Sequence, residues 1–202
     1  MATHPREEIT FLMAKPDAVQ RGLTGEIIRR IEQVGLKVVG LRLFKPTVKQ
    51  IDDHYPKDEA WITRLGEKTL ATYEKYGYDA QKELGTDKAE KIGPMVRKWL
   101  INFMTSGPVV IMVIKGAHAI TMTRKLAGST MPCDAELGTI RGDYSVDSAA
   151  AANRDRRAIF NLVHASETQE EAKHEIEHWF GKGEQIFDYE RSDEMVMYPK
   201  AK

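Results

Sequence analysis

The stretch ITFLMAKPDAVQRGLTGEIIRRIEQVGLKVVGLRLF, residues 9–44, predicts a strand, a helix and a second strand. Residues 9–14 form a short apolar run that ends in a Lys-Pro-Asp turn. Apolar residues then recur at helical spacing after Thr24, and Gly35 is placed to end that helix. Residues 36–44 are rich in Val and Leu, which favours a strand. Two strands therefore flank one amphipathic helix at the start of the chain.

The rest of the chain adds further alternating elements. Residues 108–114 predict a third strand between two glycines, and residues 117–126 predict a helix. Residues 128–149 are rich in Gly, Ser, Thr and Asp and predict a long loop, a kind of segment that often carries function. The remaining predictions are a helix that reopens at 149–152, a helix after Thr168 with Ala172, Ile176, Trp179 and Phe180 on its inward face, and a short strand near residues 186–189.

The order of these elements predicts an α+β fold, with an antiparallel sheet and helices packed on it in the ferredoxin-like manner. The polar and charged segment 56–93 interrupts the pattern and carries apolar residues at near-helical spacing, so it predicts a helical insertion. The chain has 202 residues, of which 42% are hydrophobic, which suffices for a core and favours one domain over residues 1–202.

Composition limits the classes of function. Lys plus Arg and Asp plus Glu each number 30, so no overall field favours nucleic acid or an anionic membrane. Cys133 is the single cysteine, which excludes an intrachain disulfide and fits a reducing cytoplasm. The first ten residues contain no apolar stretch of the secretory type. The longest apolar run, residues 108–114, is far shorter than the roughly 20 residues that cross a bilayer. We therefore predict a cytoplasmic protein without a membrane partner.

Four short strings carry the chemical information of the chain. They are FLMAKPDAVQRG at 11–22, SGPVV at 106–110, TMPCDAELGTIRGDYS at 130–145 and NLVHASE at 161–167. In this order the strings resemble the nucleoside diphosphate kinases, and the resemblance covers both ends and the middle of the chain. It implies a transfer of the γ-phosphate of a nucleoside triphosphate to a nucleoside diphosphate by a ping-pong mechanism. It also implies ATP and other nucleotides as substrates, and a homo-oligomer that is a hexamer or a tetramer.

A single site that serves donor and acceptor in turn needs a nucleophile that holds the phosphate between them. An imidazole with an unperturbed pKa of about 6.5 is largely neutral and nucleophilic at physiological pH, and His164 is the candidate. A carboxylate such as Glu175 on the following helix can bond one ring nitrogen and leave the other free. The resemblance implies that His164 is phosphorylated, that Glu175 orients it, and that Tyr55 reaches toward the ring. Ser166 lies in the same string and completes the catalytic candidates.

The candidates for nucleotide binding are two arginines, a lysine and two uncharged polar residues. A planar guanidinium holds phosphate oxygens in a bidentate way, and the resemblance gives phosphate contacts to Arg124, Thr130 and Arg141. It implies further that Lys15 contacts the sugar and the transferred phosphate and that Asn161 bonds the sugar. The chain lacks the G-x-x-x-x-G-K-[ST] loop of other phosphate sites. Mg²⁺ is therefore expected on the phosphates of the nucleotide, without protein ligands of its own.

The chain departs from the family at the base and in two insertions. Val96 occupies the position where the family stacks an aromatic ring on the base, so Trp99 or an aromatic residue of the insertion is the expected substitute. The first insertion is the segment 56–93, and the second covers residues 145–157, in a region that the family uses for subunit contacts. The number of subunits, the base preference and the role of both insertions remain open at this level.

Two other functions compete with the kinase. His174, Glu175 and His178 spell H-E-x-x-H on a predicted helix, the pattern of many zinc metalloproteases, for which Glu194 is a candidate third ligand. The second competitor is a catalytically inactive nucleotide-binding or regulatory homologue, suggested by the altered base position. Retention of the complete set of candidate polar residues favours the active kinase. That set is Lys15, Tyr55, Arg124, Thr130, Arg141, Asn161, His164 and Glu175.

Overall fold

A computed structural model of the chain describes residues 4–181 and 185–198. Four strands form one sheet in the order β2-β3-β1-β4, and all neighbouring strands run antiparallel. The strands are β1 Ile9–Ala14, β2 Lys37–Phe44, β3 Val109–Lys115 and β4 Val163–Ala165. With helices packed on both faces of the sheet, this is the predicted ferredoxin-like α+β fold, and the prediction is confirmed.

Helices fill the connections between the strands, and two more follow the last strand in the described residues. They are α1 Pro16–Gln20, α2 Thr24–Gln33, α3 Val48–His54, α4 Glu59–Tyr76, α5 Ala80–Leu84, α6 Ala89–Met104, α7 Ala119–Ala127, α8 Ile140–Tyr144, α9 Ala149–Arg154, α10 Gln169–Phe180 and α11 Glu194–Met197. The segment predicted as a long loop at 128–149 thus contains α8 and a short 3₁₀ turn, Pro132–Asp134. In the portion of the chain that the structure covers, no helix combines the length and apolar character that a membrane span needs.

Both faces of the sheet are buried, which explains why β1 and β3 are apolar apart from Thr10 and the terminal Lys115. On one face Leu12 and Met112 pack against α2 and α7. On the other face Phe11 and Ile111 pack against α10 and the end of α6. Side chains alternate between the two faces of a strand, so each of these strands supplies both layers. Strand β1 is a central strand and ends at Ala14, so the next residue, Lys15, lies at the edge of the sheet where β1 ends.

The position of the fourth strand corrects the sequence prediction. It lies at residues 163–165, where His164 pairs with Met13 of β1, and not near residues 186–189. A strand of three residues is too short to show a period of two, so its pairing with β1 is not visible in the sequence. Residues 185–189 run beside β2, where the amide of Phe187 donates to the carbonyl oxygen of Val39 at 2.7 Å, but they form no strand.

Ion pairs anchor the C-terminal segment 185–198 to the sheet. The carboxylate of Asp188 accepts from Lys37 Nζ at 2.9 Å and from Lys115 Nζ at 2.7 Å. Lys37 also pairs with Glu194 at 2.9 Å, and Arg191 donates to the carbonyl oxygen of Leu36 at 2.9 Å. Both lysines lie at the end of the sheet opposite to Lys15.

The segment 56–93 contains α4, α5 and the start of α6. Helices α4 and α6 pack closely because each places a glycine at the contact. A Cβ atom on Gly66 would lie 2.0 Å from the carbonyl oxygen of Ala89, and one on Gly93 would lie 2.1 Å from that of Ile62. These helices and α5 share a hydrophobic cluster, formed by Tyr73, Ala80, Leu84 and Ile92 with Leu70, Tyr78, Val96 and Trp99 against it.

Candidate active site

The His164 ring lies on the face of the sheet that α10 covers. Its Nε2 atom lies 2.6 Å from Oε1 of Glu175, and Oε2 of Glu175 accepts from Ser166 Oγ at 2.5 Å. An ionised carboxylate only accepts hydrogen bonds, so Nε2 carries the hydrogen and Nδ1 keeps its lone pair. The His164 side chain is 23% exposed, so the ring is accessible to a ligand. The structure thus brings three of the predicted catalytic residues together.

The local sequence explains why Glu175 points inward. Thr168 caps α10 by accepting from the amide of Glu171 at 3.1 Å, and this fixes where the helix begins. Ile176 and Trp179 lie on the buried face of the same helix, so Glu175 also faces the core. A buried carboxylate is stable only when its oxygens are bonded, and His164 and Ser166 supply those bonds.

A second histidine adjoins this pair, and the sequence analysis did not select it. The His54 ring centre lies 5.0 Å from that of His164, and its Nδ1 atom lies 3.5 Å from Oε1 of Glu175. The indole N–H of Trp179 donates to the same Nδ1 atom at 3.3 Å. Burial, together with the neighbouring His164, lowers the pKa of His54 well below its ordinary value, so the ring is neutral. Its position directly before Tyr55 in the chain was the available signal.

Tyr55 extends the site toward the insertion. Its ring centre lies 5.1 Å from that of His54 and 5.9 Å from that of Trp61, in the first turn of α4. Burial raises the pKa of the Tyr55 phenol, which therefore keeps its hydrogen at neutral pH. Val96 and Trp99 instead pack against the hydrophobic cluster of the insertion. Trp61 is the insertion aromatic that contacts a candidate catalytic residue.

Lys15, Asn161 and Thr130 form a second group beside the first. The Lys15 ammonium donates to Asn161 Oδ1 at 2.7 Å, and Asn161 Nδ2 donates to the carbonyl oxygen of Thr130 at 3.0 Å. Burial, followed by the charge of Arg141, lowers the pKa of Lys15 to about 8, although Asp17 opposes this shift. Burial likewise raises the pKa of Asp17, against the opposing charge of Lys15. The three residues come from distant parts of the chain, as the sequence analysis predicted for one nucleotide site.

The two arginines differ strongly in their surroundings. Arg141 is buried, and its guanidinium donates to the carbonyl oxygens of Asn161, Gly128 and Val163 at 3.1, 2.7 and 2.6 Å. Burial, and next the charge of Arg124, lowers the Arg141 pKa to about 10, so it stays charged at neutral pH. Arg141 therefore fixes the backbone around the site and keeps further N–H donors for an anion. Arg124 is 42% exposed and pairs with Glu167 at 3.0 Å.

The H-E-x-x-H pattern does not form a zinc ligand set with the predicted partners. Glu175 is turned away from solvent and bonded to His164, and Glu194 pairs with Lys37 at the other end of the sheet. His178 Nε2 lies 3.0 Å from the carbonyl oxygen of Gln50. Within residues 4–181 and 185–198, the group with metal-ligand spacing is His54, His164 and Glu175. That group contains the candidate nucleophile, so the geometry favours the kinase over the metalloprotease.

Comparison with known proteins gives the same family. A sequence profile described as nucleoside diphosphate kinase matches residues 8–61 and 88–185. The chain belongs to the nucleoside diphosphate kinase family. A relative with this name from Pyrobaculum aerophilum is 47% identical over 177 residues, which cover 88% of this chain and 97% of the relative. The match to the family profile leaves out residues 62–87, which hold most of α4 and all of α5.

Solved structures of family members share the fold. The crystal structure of an NDP kinase from Pyrobaculum aerophilum matches with a TM-score of 0.86 and 44% identity, covering 90% of this chain and 100% of that chain. A nucleoside diphosphate kinase from Borrelia burgdorferi matches with a TM-score of 0.74 and 32% identity, covering 94% and 95%. The latter structure is a transition-state mimic with bound vanadate and ADP.

The lowered pKa of Lys15 predicts a pH dependence. In the free enzyme the ammonium is lost as the pH rises through about 8, so kcat/KM for nucleotides should fall above that pH. Bound phosphates favour the charged form, so the fall in kcat should occur at higher pH than the fall in kcat/KM. The measurement is a pair of pH profiles from roughly pH 6 to pH 10, a window that spans this pKa on both sides.

The Lys15→Met variant is the control, because it should lack the fall while His164 is unchanged. Identical profiles in the two proteins would contradict the assignment.

The free energy of unfolding should rise with pH over the range in which the activity falls. The unfolded chain binds more protons than the folded chain between about 8 and the ordinary lysine value of 10.5, so unfolding becomes harder as the pH rises through this window.

Proposed function

We propose that the chain is an active nucleoside diphosphate kinase that works by a ping-pong mechanism through phospho-His164. The observation that carries the proposal is the bond of 2.6 Å between His164 Nε2 and Glu175, which leaves Nδ1 as the nucleophilic atom. The pair of Lys15 and Asn161 supplies a buried ammonium for the phosphates and sugar. The complex of the Borrelia burgdorferi relative with ADP and vanadate supports phosphoryl transfer as the reaction.

In the first half-reaction, the lone pair of Nδ1 attacks the γ-phosphorus of the donor. A P–N bond forms, the bond from the γ-phosphorus to the bridging oxygen breaks, and the nucleoside diphosphate leaves with that oxygen. Nε2–H stays bonded to Glu175, whose charge stabilises the ring as it becomes positive. In the second half-reaction, a terminal phosphate oxygen of the acceptor attacks the same phosphorus, and the P–N bond breaks. Arg124, Thr130 and Arg141 contact the phosphates in both halves.

The substrate in this proposal is the Mg²⁺ complex of the nucleotide. Mg²⁺ prefers oxygen ligands and keeps much of its water, so phosphate oxygens hold it in most kinase sites. The donor set near His164 fits this arrangement, because the Glu175 carboxylate is already bonded to His164 and Ser166. The ion offsets the charge of the phosphates when it arrives with them. ATP and other nucleoside di- and triphosphates are the proposed substrates, since the contacts are to phosphate and sugar.

We further propose a cytoplasmic homo-oligomer, a hexamer or a tetramer, built from one domain with insertions at 56–93 and 145–157. Exposed apolar side chains support self-association, because they are 48 to 95% exposed in one copy. They are Leu41, Leu43, Val48, Leu137 and Val146. The single cysteine, which excludes an intrachain disulfide, supports the cytoplasmic location.

The test is incubation of the wild-type protein with ATP labelled in the γ-phosphate and Mg²⁺. We expect one acid-labile, base-stable phosphate on the protein, which is released on addition of GDP or CDP. Steady-state kinetics with varied donor and acceptor should give parallel double-reciprocal lines, since one pocket serves both in turn. An inactive homologue would bind nucleotide without becoming labelled. Absence of label under saturating ATP would therefore overturn the proposed function.

A further inference from the structure

Asp147 lies between α8 and α9. Its carboxylate is nearly buried and accepts hydrogen bonds from several donors. Its side chain is 11% exposed. It accepts from both terminal nitrogens of Arg157 at 2.5 and 3.1 Å, from the amide of Phe160 at 2.8 Å and from that of Ser148 at 2.9 Å. Burial raises the pKa of Asp147, but the bonds from Arg157, Phe160 and Ser148 outweigh it and hold this pKa below its ordinary value.

Both backbone polar groups of Phe160 are held by side chains of this segment. Asp147 accepts from the Phe160 amide, and Ser145 Oγ donates to the Phe160 carbonyl oxygen at 2.6 Å. The Asp147 carbonyl oxygen accepts from the amide of Cys133 at 3.2 Å, three residues after Thr130. Asp147 therefore connects the two stretches of chain that supply the second group of site residues.

The residue after Phe160 is Asn161, which links the other two members of the second group. Asn161 accepts from the ammonium of Lys15 and donates to the carbonyl oxygen of Thr130. Leu162 follows with φ of 67°, a left-handed conformation that is costly for a leucine and persists only where its surroundings fix it. Asp17 Oδ2 accepts from the Leu162 amide at 3.1 Å on one side. The bonds of Asp147 and Ser145 to Phe160 restrain the other side.

We propose that Asp147 is a positioning residue for nucleotide binding, acting with Ser145 through Phe160 to hold the Asn161 amide where it bonds Lys15 and the nucleotide sugar. The inference rests on the proposed function, because the sugar contact of Asn161 belongs to it. Neither Asp147 nor Ser145 touches the phosphates in this scheme. Their loss removes two restraints on the backbone of Phe160, so that the Asn161 amide, although still bonded to Lys15 and Thr130, is held less firmly toward the sugar. This weakens the sugar contact and leaves the pair of His164 and Glu175 in place.

The experiment compares kcat/KM for ADP with that for 3′-deoxy-ADP as acceptor. The ratio of the two values reports the sugar contact, and Asn161→Ala sets the ratio without that contact. We expect Asp147→Asn and Ser145→Ala each to lower the wild-type ratio toward that of Asn161→Ala. The loss should be up to roughly tenfold, as for one hydrogen bond. The labelling of His164 at saturating ATP should stay complete in both variants.

Asp155→Asn is the matched control. Asp155 is the other carboxylate that accepts from Arg157, at 3.1 Å, but it is 62% exposed, and the Phe160 amide donates to Asp147 instead. It should keep the wild-type ratio. A structural role alone would lower the melting temperature without changing the ratio, so unchanged ratios in folded Asp147→Asn and Ser145→Ala would overturn the inference. If Asp147→Asn does not fold, Ser145→Ala alone decides. A wild-type protein that takes up no phosphate would instead refute the proposed function.

Discussion

His164→Ala should abolish the labelling of the protein by ATP and reduce turnover by at least roughly 10⁴-fold, as for other enzymes that lose their nucleophile. Alanine has no atom that forms a P–N bond, and the other groups near Glu175 do not replace it. His54 is the adjacent imidazole, but Trp179 donates to its Nδ1 atom and it is buried. The measurement is the acid-labile phosphate per chain after incubation with ATP and Mg²⁺, with turnover measured in parallel.

His174→Ala is the matched control for this experiment. His174 lies on the exposed side of α10 in the H-E-x-x-H pattern, so its loss removes one histidine without touching His164. It should keep full labelling and turnover. Labelling that survives in His164→Ala would show that another residue carries the phosphate. Loss of labelling in His174→Ala would show that His164 is not the only histidine that the reaction needs.

Arg141→Ala should have the second largest effect, because it acts on both activity and stability. Removal of one preorganised donor of charge stabilisation typically costs about 2 to 4 kcal/mol of transition-state free energy. The same change leaves the carbonyl oxygens of Gly128, Asn161 and Val163 without their charged donor in a buried region. Bonds to charged groups are worth about 1.5 to 3 kcal/mol each, so the free energy of unfolding should fall by about 3 kcal/mol or more. Kinetics and urea unfolding measure the two effects separately.

Arg124→Ala provides the comparison. Arg124 is 42% exposed and paired with an exposed glutamate, and such surface pairs contribute little to stability. We expect a loss of activity with an unfolding midpoint close to that of the wild type. If Arg141→Ala unfolds at the wild-type midpoint, its bonds to the three carbonyl oxygens do not stabilise the fold. If its activity falls by less than roughly tenfold, the proposed role in the transition state is wrong.

The sequence predicted the frame of the fold because its central elements are long and strongly patterned. The apolar runs of β1 to β3 and the inward residues of α10 give clear signals. The fourth strand was missed because three residues carry no periodicity, and it was placed instead near residues 186–189, which are held by ion pairs and one edge contact with β2. Strand pairing that depends on distant residues is a tertiary property.

The sequence predicts those members of the candidate site that stand in recognisable strings of residues. The pairs His164 with Glu175 and Lys15 with Asn161 lie together in the structure. His54 was missed because a single histidine at the end of α3 has no pattern, and only packing against Trp179 reveals its place. Val96 packs against the cluster formed by the helices of the insertion, and its place at the base stays a prediction.

The network around Asp188 has a practical consequence for anyone who shortens or tags this protein. Two lysines at the ends of adjacent strands share that one carboxylate, and Lys37 has only 11% of its side chain in solvent. Cleavage before residue 185 would remove both acidic partners of Lys37, Asp188 and Glu194, and would leave Lys115 beside it with Glu7 alone. Removal of the segment 185–198 therefore changes the charge balance at this end of the sheet, and a chain that ends before residue 185 should be treated as a different protein.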